Sequence, residues 1–545
     1  MASPSTPPKT ISVFRGTWVP RLEIIEPNKN DWKDEGKCCQ CGKAPVELIP
    51  CQSCAAFVYC SDACATKHWQ GGHSTKCTRT TESLPTYGVK VSHLAQAFAS
   101  CTGSTADVGN LVREKTTVKG NDGTTLRLSY AELLARDSAT RDNVKPVADA
   151  FVSHVHAYKF QDLMQTLLQL PADRFVWIDI FSTNLHRSNL EWWYRANHVA
   201  ISKIPRVEIV VDSWDHPTLL KRAWCVWEMY GAVQQGKPVQ PILFPGERDL
   251  FRTALLKGQL GEEQWKAVFQ AVDVQRATAY NVDDKQHVLG QMRRVGVVVV
   301  NSAVMVPVRK WLLDEALLLA GTQATGPVCT CLAALYRVFG ETDEAQKWYE
   351  KAGAAFKRDL GGDATETITA TAYMADVLME RGKLLDAQPL LEQVLAQRIL
   401  VNGPASEEVA GALNNMAGLK SALGDLDGAK PLFEQALSIS QKLHGTDNAH
   451  AAATINNLAL LCEAQGNAKD AKAFHDRALA MRIKVFGPDH VDVAQSLNNV
   501  AVWHHRQGEA AKAKELGRQA LAIWERVLGA NHPETLQARA DWGSP

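Results

Sequence analysis

No stretch of the 545-residue chain approaches the roughly 18 to 20 consecutive apolar residues that a membrane-spanning helix requires. The opening residues, MASPSTPPKT, lack the apolar core of a secretory signal. Net charge is missing as well: 59 Lys plus Arg balance 59 Asp plus Glu, so no global basic field draws the chain to nucleic acid or acidic lipid. The phosphate-cradling pattern GxxxxGK[ST] does not occur. These absences lead us to expect a cytoplasmic protein, the nucleus being the alternative, with neither membrane nor nucleic acid as partner.

A disulfide framework is also lacking. Of 13 cysteines, Cys101, Cys225, Cys329, Cys331 and Cys462 are scattered, while the other eight crowd between residues 38 and 77. In a reducing compartment such crowding favours metal over disulfides. The spacing is Cys38-x2-Cys41-x9-Cys51-x2-Cys54-x5-Cys60-x3-Cys64-x8-His73-x3-Cys77. Paired thiolates two or three residues apart can occupy two corners of a tetrahedral zinc, so eight ligands make two closed, structural sites. A reduced, metal-free cysteine cluster is the alternative.

With Tyr59, Cys60, Ser61 and the following Trp69, this segment resembles the MYND zinc finger. The resemblance implies a small two-zinc cross-brace in which one zinc takes Cys38, Cys41, Cys60 and Cys64, and the other takes Cys51, Cys54, His73 and Cys77. Cys39 and His68 are the local competitors, His68 as a replacement for His73 because Gly71 and Gly72 lengthen the gap before it. The resemblance also implies binding of short proline-containing peptides. MYND fingers can interrupt lysine methyltransferase domains, yet nothing downstream resembles the cofactor motifs of that fold.

A chain of this length needs more than one core, about three or four domains. Residues 1–35 form an N-terminal tail of unassigned fold, 36–77 the finger, and 78–147 a connector or accessory region. From 148 to 322 short apolar runs alternate with helix-like stretches, the signature of an α/β domain with a parallel sheet. DAFVSH, FVWIDI, RVEIVVDS and KPVQPILF are the strand candidates; a fifth is offered by VDVQRATAY or by Val297 to Val300, a run that periodicity does not separate from a buried helix.

DAFVSH, FVWIDI and the WCVWE helix together resemble a Toll/interleukin-1 receptor (TIR) domain over roughly residues 149 to 245. The resemblance implies a flavodoxin-like fold that signals or self-associates. It also implies a second reading, an NAD glycohydrolase with NAD as substrate and Glu228 as its catalytic carboxylate. Cleaving the glycosidic bond builds oxocarbenium character that a negative charge stabilises. Ligands of such sheets bind beyond the carboxyl ends of the strands, where His154, Ser182, Asn184 and His186 are expected to line the cleft. The plainer alternative makes Glu228 a helix-surface residue.

From 326 to 530 the chain repeats every 42 residues. Glycines recur at 340, 382, 424, 466 and 508 and again at 361, 403, 445, 487 and 529, with alanines at 345, 387, 429, 471 and 513. Each unit reads as two helices about a glycine turn, with Leu432 and Leu437 in the buried stripe. These are tetratricopeptide-like units forming an all-α superhelix, and LNNMA, INNLA and LNNVA resemble the kinesin light chain type. That resemblance implies peptide contact through Asn414, Asn415, Asn456, Asn457, Asn498 and Asn499; hydrogen bonding between helices is the competing role. Residues 531–545 are read as a C-terminal tail.

The whole is expected to be a zinc-binding adaptor or scaffold that brings protein or peptide partners together. Metal analysis should find two zinc ions in the finger. A value near one would mean that one ligand set, first of all the one using His73, is misassigned.

Overall fold

Four short β-branched and aromatic runs become the four parallel strands of one sheet. In a computed structural model the described residues are 49–50, 58–59 and 86–543, apart from 120–124, 184, 187–189, 271–276, 280–281 and 528–532. All eight proposed zinc ligands lie outside them. Of the finger, only the strands Ile49–Pro50 and Val58–Tyr59 are described, and they pair antiparallel.

Two compact units contain the remainder, residues 86–251 with 271–312, and residues 252–270 with 313–543. The sheet of the first runs in the order Val239–Leu243, Val207–Val211, Ala150–Ser153, Phe175–Trp177, Gly88–Lys90, Val144–Lys145. The first four strands are parallel, and the last two are antiparallel additions at one edge. Both additions come from the stretch read as connector or accessory region. All five residues of Val207–Val211 are buried, as expected for a strand covered on both faces. Phe151 and Trp177 stack at 4.4 Å between ring centroids in the core.

Taken in chain order, the parallel strands lie 2-1-3-4. Strands two and three thus lie on opposite sides of strand one (Ala150–Ser153), which makes its carboxyl end the switch point where ligands of such sheets bind. Of the two candidates for a fifth strand, Val297 to Val300 is helical, and most of VDVQRATAY lies outside the described residues. Val297 to Val300 open the helix Val297–Thr322, where a 26-residue segment overrides the β preference of four valines. Of VDVQRATAY only residues 277–279 are described, and Thr278 forms an isolated bridge with Arg222. Among the described residues no single helix is long and apolar enough to cross a membrane.

In the second unit five helix pairs follow one another, from Gly326–Val338 with Thr342–Leu360 to Val491–Arg506 with Ala510–Val527. Gly424 and Gly445, at φ 86° and 83°, show why glycine recurs: each closes a helix in the left-handed region where a Cβ is costly. Ala429, Phe433, Ala436 and Ser440 are the buried residues of their helix, while Leu432 and Leu437 pack from its margins. Leu432 and Leu437 thus join the inward stripe as its partly buried flanks, with Phe433 and the small residues at its centre.

The expected C-terminal tail contains a helix, Pro533–Trp542. Trp542 is buried, and its Nε1 donates to Asn498 Oδ1 at 2.8 Å. Gly517 makes room for the ring, since a Cβ there would stand 2.3 Å from it. The helix covers the apolar side of the last pair, as end caps of repeat arrays do. Trp542→Ala should cost about 3 kcal/mol. Gly517→Ala should displace the same ring, and the double variant should lose no more than the worse single one. Thermal unfolding followed by helical circular dichroism checks this, and full additivity would mean that the two residues do not share one contact.

Candidate functional site

Strand one ends on Ser153, His154 follows it, and strand two runs into Asp179 at the start of the short helix Asp179–Ser182. The helix Ala223–Gln234 packs on the sheet and turns Glu228 inward over the end of strand one. Glu228 is 8% exposed, so it does not belong to the helix surface. Ser153 Oγ donates to its Oε2 at 2.6 Å, and Asn197 Nδ2 approaches its Oε1 at 3.4 Å.

Burial pushes the Glu228 carboxyl up to about 8; the Asp179 charge adds to this, and the Ser153 hydrogen bond only partly offsets it. At neutral pH it is mostly protonated. Asn197 Oδ1 is buried without a hydrogen-bond partner. Turning that amide over would present this oxygen to a protonated Glu228, which can donate to it.

Asp179 takes the opposite state. Burial opposes its charge, but His156 outweighs it and holds the carboxyl well below its usual range: His156 Nε2 sits 2.7 Å from Asp179 Oδ2. The Asp179 charge raises His156 in return. His154 differs from its neighbour: burial lowers it to about 4, so it is neutral. Cys225 donates its thiol to the His154 carbonyl at 3.3 Å, and burial raises it far above the range in which it would act as a nucleophile.

Among the residues expected to line the cleft, His154 and Glu228 share this cluster. Ser182 is fully buried and its Oγ accepts from the Ile178 N–H. His186 turns away to Thr116 Oγ1 at 3.1 Å. Asn184 lies outside the described residues. Sequence reasoning missed Ser153, His156, Asp179 and Asn197, although a His-x-His step closing one parallel strand and an aspartate closing its neighbour were legible signals.

In the repeats the asparagine pairs form a ladder. Asn457 Nδ2 donates to Asn414 Oδ1 at 3.1 Å, and Asn499 Nδ2 to Asn456 Oδ1 at 2.8 Å. Asn498 accepts from Trp542, and Asn415 donates to Asp376 at 3.2 Å, since repeat two has Ala372 where the accepting asparagine would stand. The first member of a pair thus offers its oxygen to the next repeat, and the second offers its amide to the previous one.

The tetratricopeptide repeat family model matches residues 328–399, 366–442, 408–484, 450–526 and 492–543. Residues 328–543 are tetratricopeptide repeats. The MYND finger model matches residues 38–77, which makes that segment a zinc-binding finger. Neither match includes the sheet unit. No curated protein matches the chain. Solved structures similar to it include a Podosopora anserina kinesin light chain protein of nearly identical TPR-like repeats, at 24% identity and TM-score 0.31, covering 36% of this chain and 92% of that one. BtubC (BKLC) from P. vanneervenii is also similar, at 24% identity and TM-score 0.33, covering 40% and 88%.

Because the folded-state value of Glu228 lies above its ordinary 4.5, its contribution to stability is full below that pH and is lost as the pH rises through about 8. Glu228→Gln, which cannot ionise, should match wild type in heat stability near pH 4.5. At about pH 8.5 it should exceed wild type by roughly 5 °C in thermal unfolding without added divalent metal. A wild type more stable than the variant at alkaline pH would mean that the carboxylate is charged and well solvated.

Proposed function

We propose that the chain is an adaptor: the repeats and the finger each take a protein or peptide partner, and the sheet unit serves as a TIR-like signalling or self-association module. The finger would hold two structural zinc ions, in the interleaved sets Cys38, Cys41, Cys60, Cys64 and Cys51, Cys54, His73, Cys77. The observation that carries the reading is the amide ladder along the first helices of the repeats. The ladder engages one end of each amide. Nδ2 of Asn414 and Asn456 carries none of the ladder's bonds, and these are the groups that would meet the carbonyl groups of an extended peptide, Asn414 from a half-buried position and Asn456 from one 8% exposed. Selection from a library of extended peptides on the full chain should enrich binders. The Asn414→Ala/Asn456→Ala variant should bind them about tenfold more weakly, one or two hydrogen bonds' worth, while staying folded by circular dichroism. Absence of enriched peptides, or equal affinity for the variant, would overturn this role for the asparagines.

The second reading, NAD glycohydrolase activity, is supported by the position of Glu228 at the carboxyl edge of a parallel sheet, where ligands of such sheets bind. An ionised Glu228 is what this chemistry would use. Nicotinamide release should therefore rise with pH through about 8 and disappear in Glu228→Gln. No release by wild type at any pH, even after forced oligomerisation, would end this reading.

A further inference from the structure

His154, His156 and Asp179 meet at the carboxyl edge of the sheet, and we propose that they form a binding site for a divalent transition-metal ion of the zinc class, separate from the finger. One ligand atom from each lies within 4.8 Å of the other two. His154 Nε2 is 3.9 Å from Asp179 Oδ1, and His156 Nε2 is 2.7 Å from Asp179 Oδ2. Ligand bonds of about 2.0–2.1 Å place the ligand atoms of a tetrahedral ion roughly 3.3 Å apart, so the two separations bracket what the ion requires.

A second observation points to a ligand. The His154 side chain is only 2% exposed, and its Nε2 has no hydrogen-bond partner. A buried polar nitrogen left this way loses its hydration with nothing in return. An ion between the imidazoles and the carboxylate removes that cost. The fold supplies the convergence: Val155 is buried, which anchors the turn between the two histidines, and the neighbouring parallel strand delivers Asp179 to the same edge.

Two imidazoles and one carboxylate suit zinc, cobalt or iron better than magnesium or calcium, which favour oxygen ligands alone. Three protein ligands are the number found where a coordination position stays open to water, unlike the closed four-ligand sets of the finger. Entry is from the His156 side, where that side chain is 42% exposed and Asp179 19%.

The test uses the full chain with its finger metal in place, dialysed against micromolar free Zn2+. Wild type, His156→Ala and Asp179→Asn are then compared by elemental analysis, together with the zinc that a thiol-modifying reagent releases. His156→Ala removes a half-exposed ring and Asp179→Asn keeps the shape, so neither empties the core. Wild type should hold one ion per chain more than either variant, with equal thiol-released zinc in all three. Loaded with Co2+, the additional ion should show d–d bands without a thiolate charge-transfer band. Equal metal content in the three proteins, or a thiolate band on the additional ion, would overturn the proposal.

Discussion

The 2.6 Å hydrogen bond from Ser153 to Glu228 ties the end of strand one to the middle of the helix that covers it. It matters because of where it lies: the carboxyl end of the one strand whose neighbours depart in opposite directions. A parallel sheet buried on both faces tolerates polar groups only where they are paired. At this edge the pairing separates two carboxyl groups by state, Glu228 neutral beside a hydroxyl and Asp179 charged beside an imidazole. Opposite displacement of two nearby acids is a frequent mark of functional sites, and structural ion-pair networks produce it as well.

The repeats follow another economy. Each helix pair buries small residues against the next pair, and the same amide positions recur every 42 residues, so hydrogen bonding is passed from one repeat to its neighbour. Where repeat two has no asparagine pair, Asn415 finds Asp376, and at the far end Trp542 takes the position a sixth repeat would occupy. The ladder is thus both structural and, on the reading advanced above, a row of groups half committed to the fold and half free for a ligand.

The repeat array was legible in sequence because its constraint is local: a left-handed backbone at Gly424 or Gly445 demands glycine, and the period displays it. The four strands were legible for the same reason, as runs of apolar residues between turns. Val297 to Val300 reads equally as strand or buried helix, and the structure makes it the start of a helix because four β-branched residues carry less weight than the 26-residue segment they begin. Pro533–Trp542 was missed because its one informative residue, Trp542, makes sense only once Gly517 and Asn498 are seen beneath it. At the sheet edge, Glu228 could be named from its helix motif, but its partner Ser153 lies 75 residues away in sequence. His156 and Asp179 come together only through strand order. Long-range pairing of that kind is a property of topology, which residue patterns do not record.

The arrangement of charge at the sheet edge rests on the neutral state of Glu228. The direct measurement is the carboxyl 13C chemical shift of that residue, assigned by difference from Glu228→Gln, followed through a pH titration with no divalent metal added. The shift should move with a midpoint near 8. A midpoint near the ordinary 4.5 would show a solvated or well-paired carboxylate and would contradict the arrangement of charge described for the site.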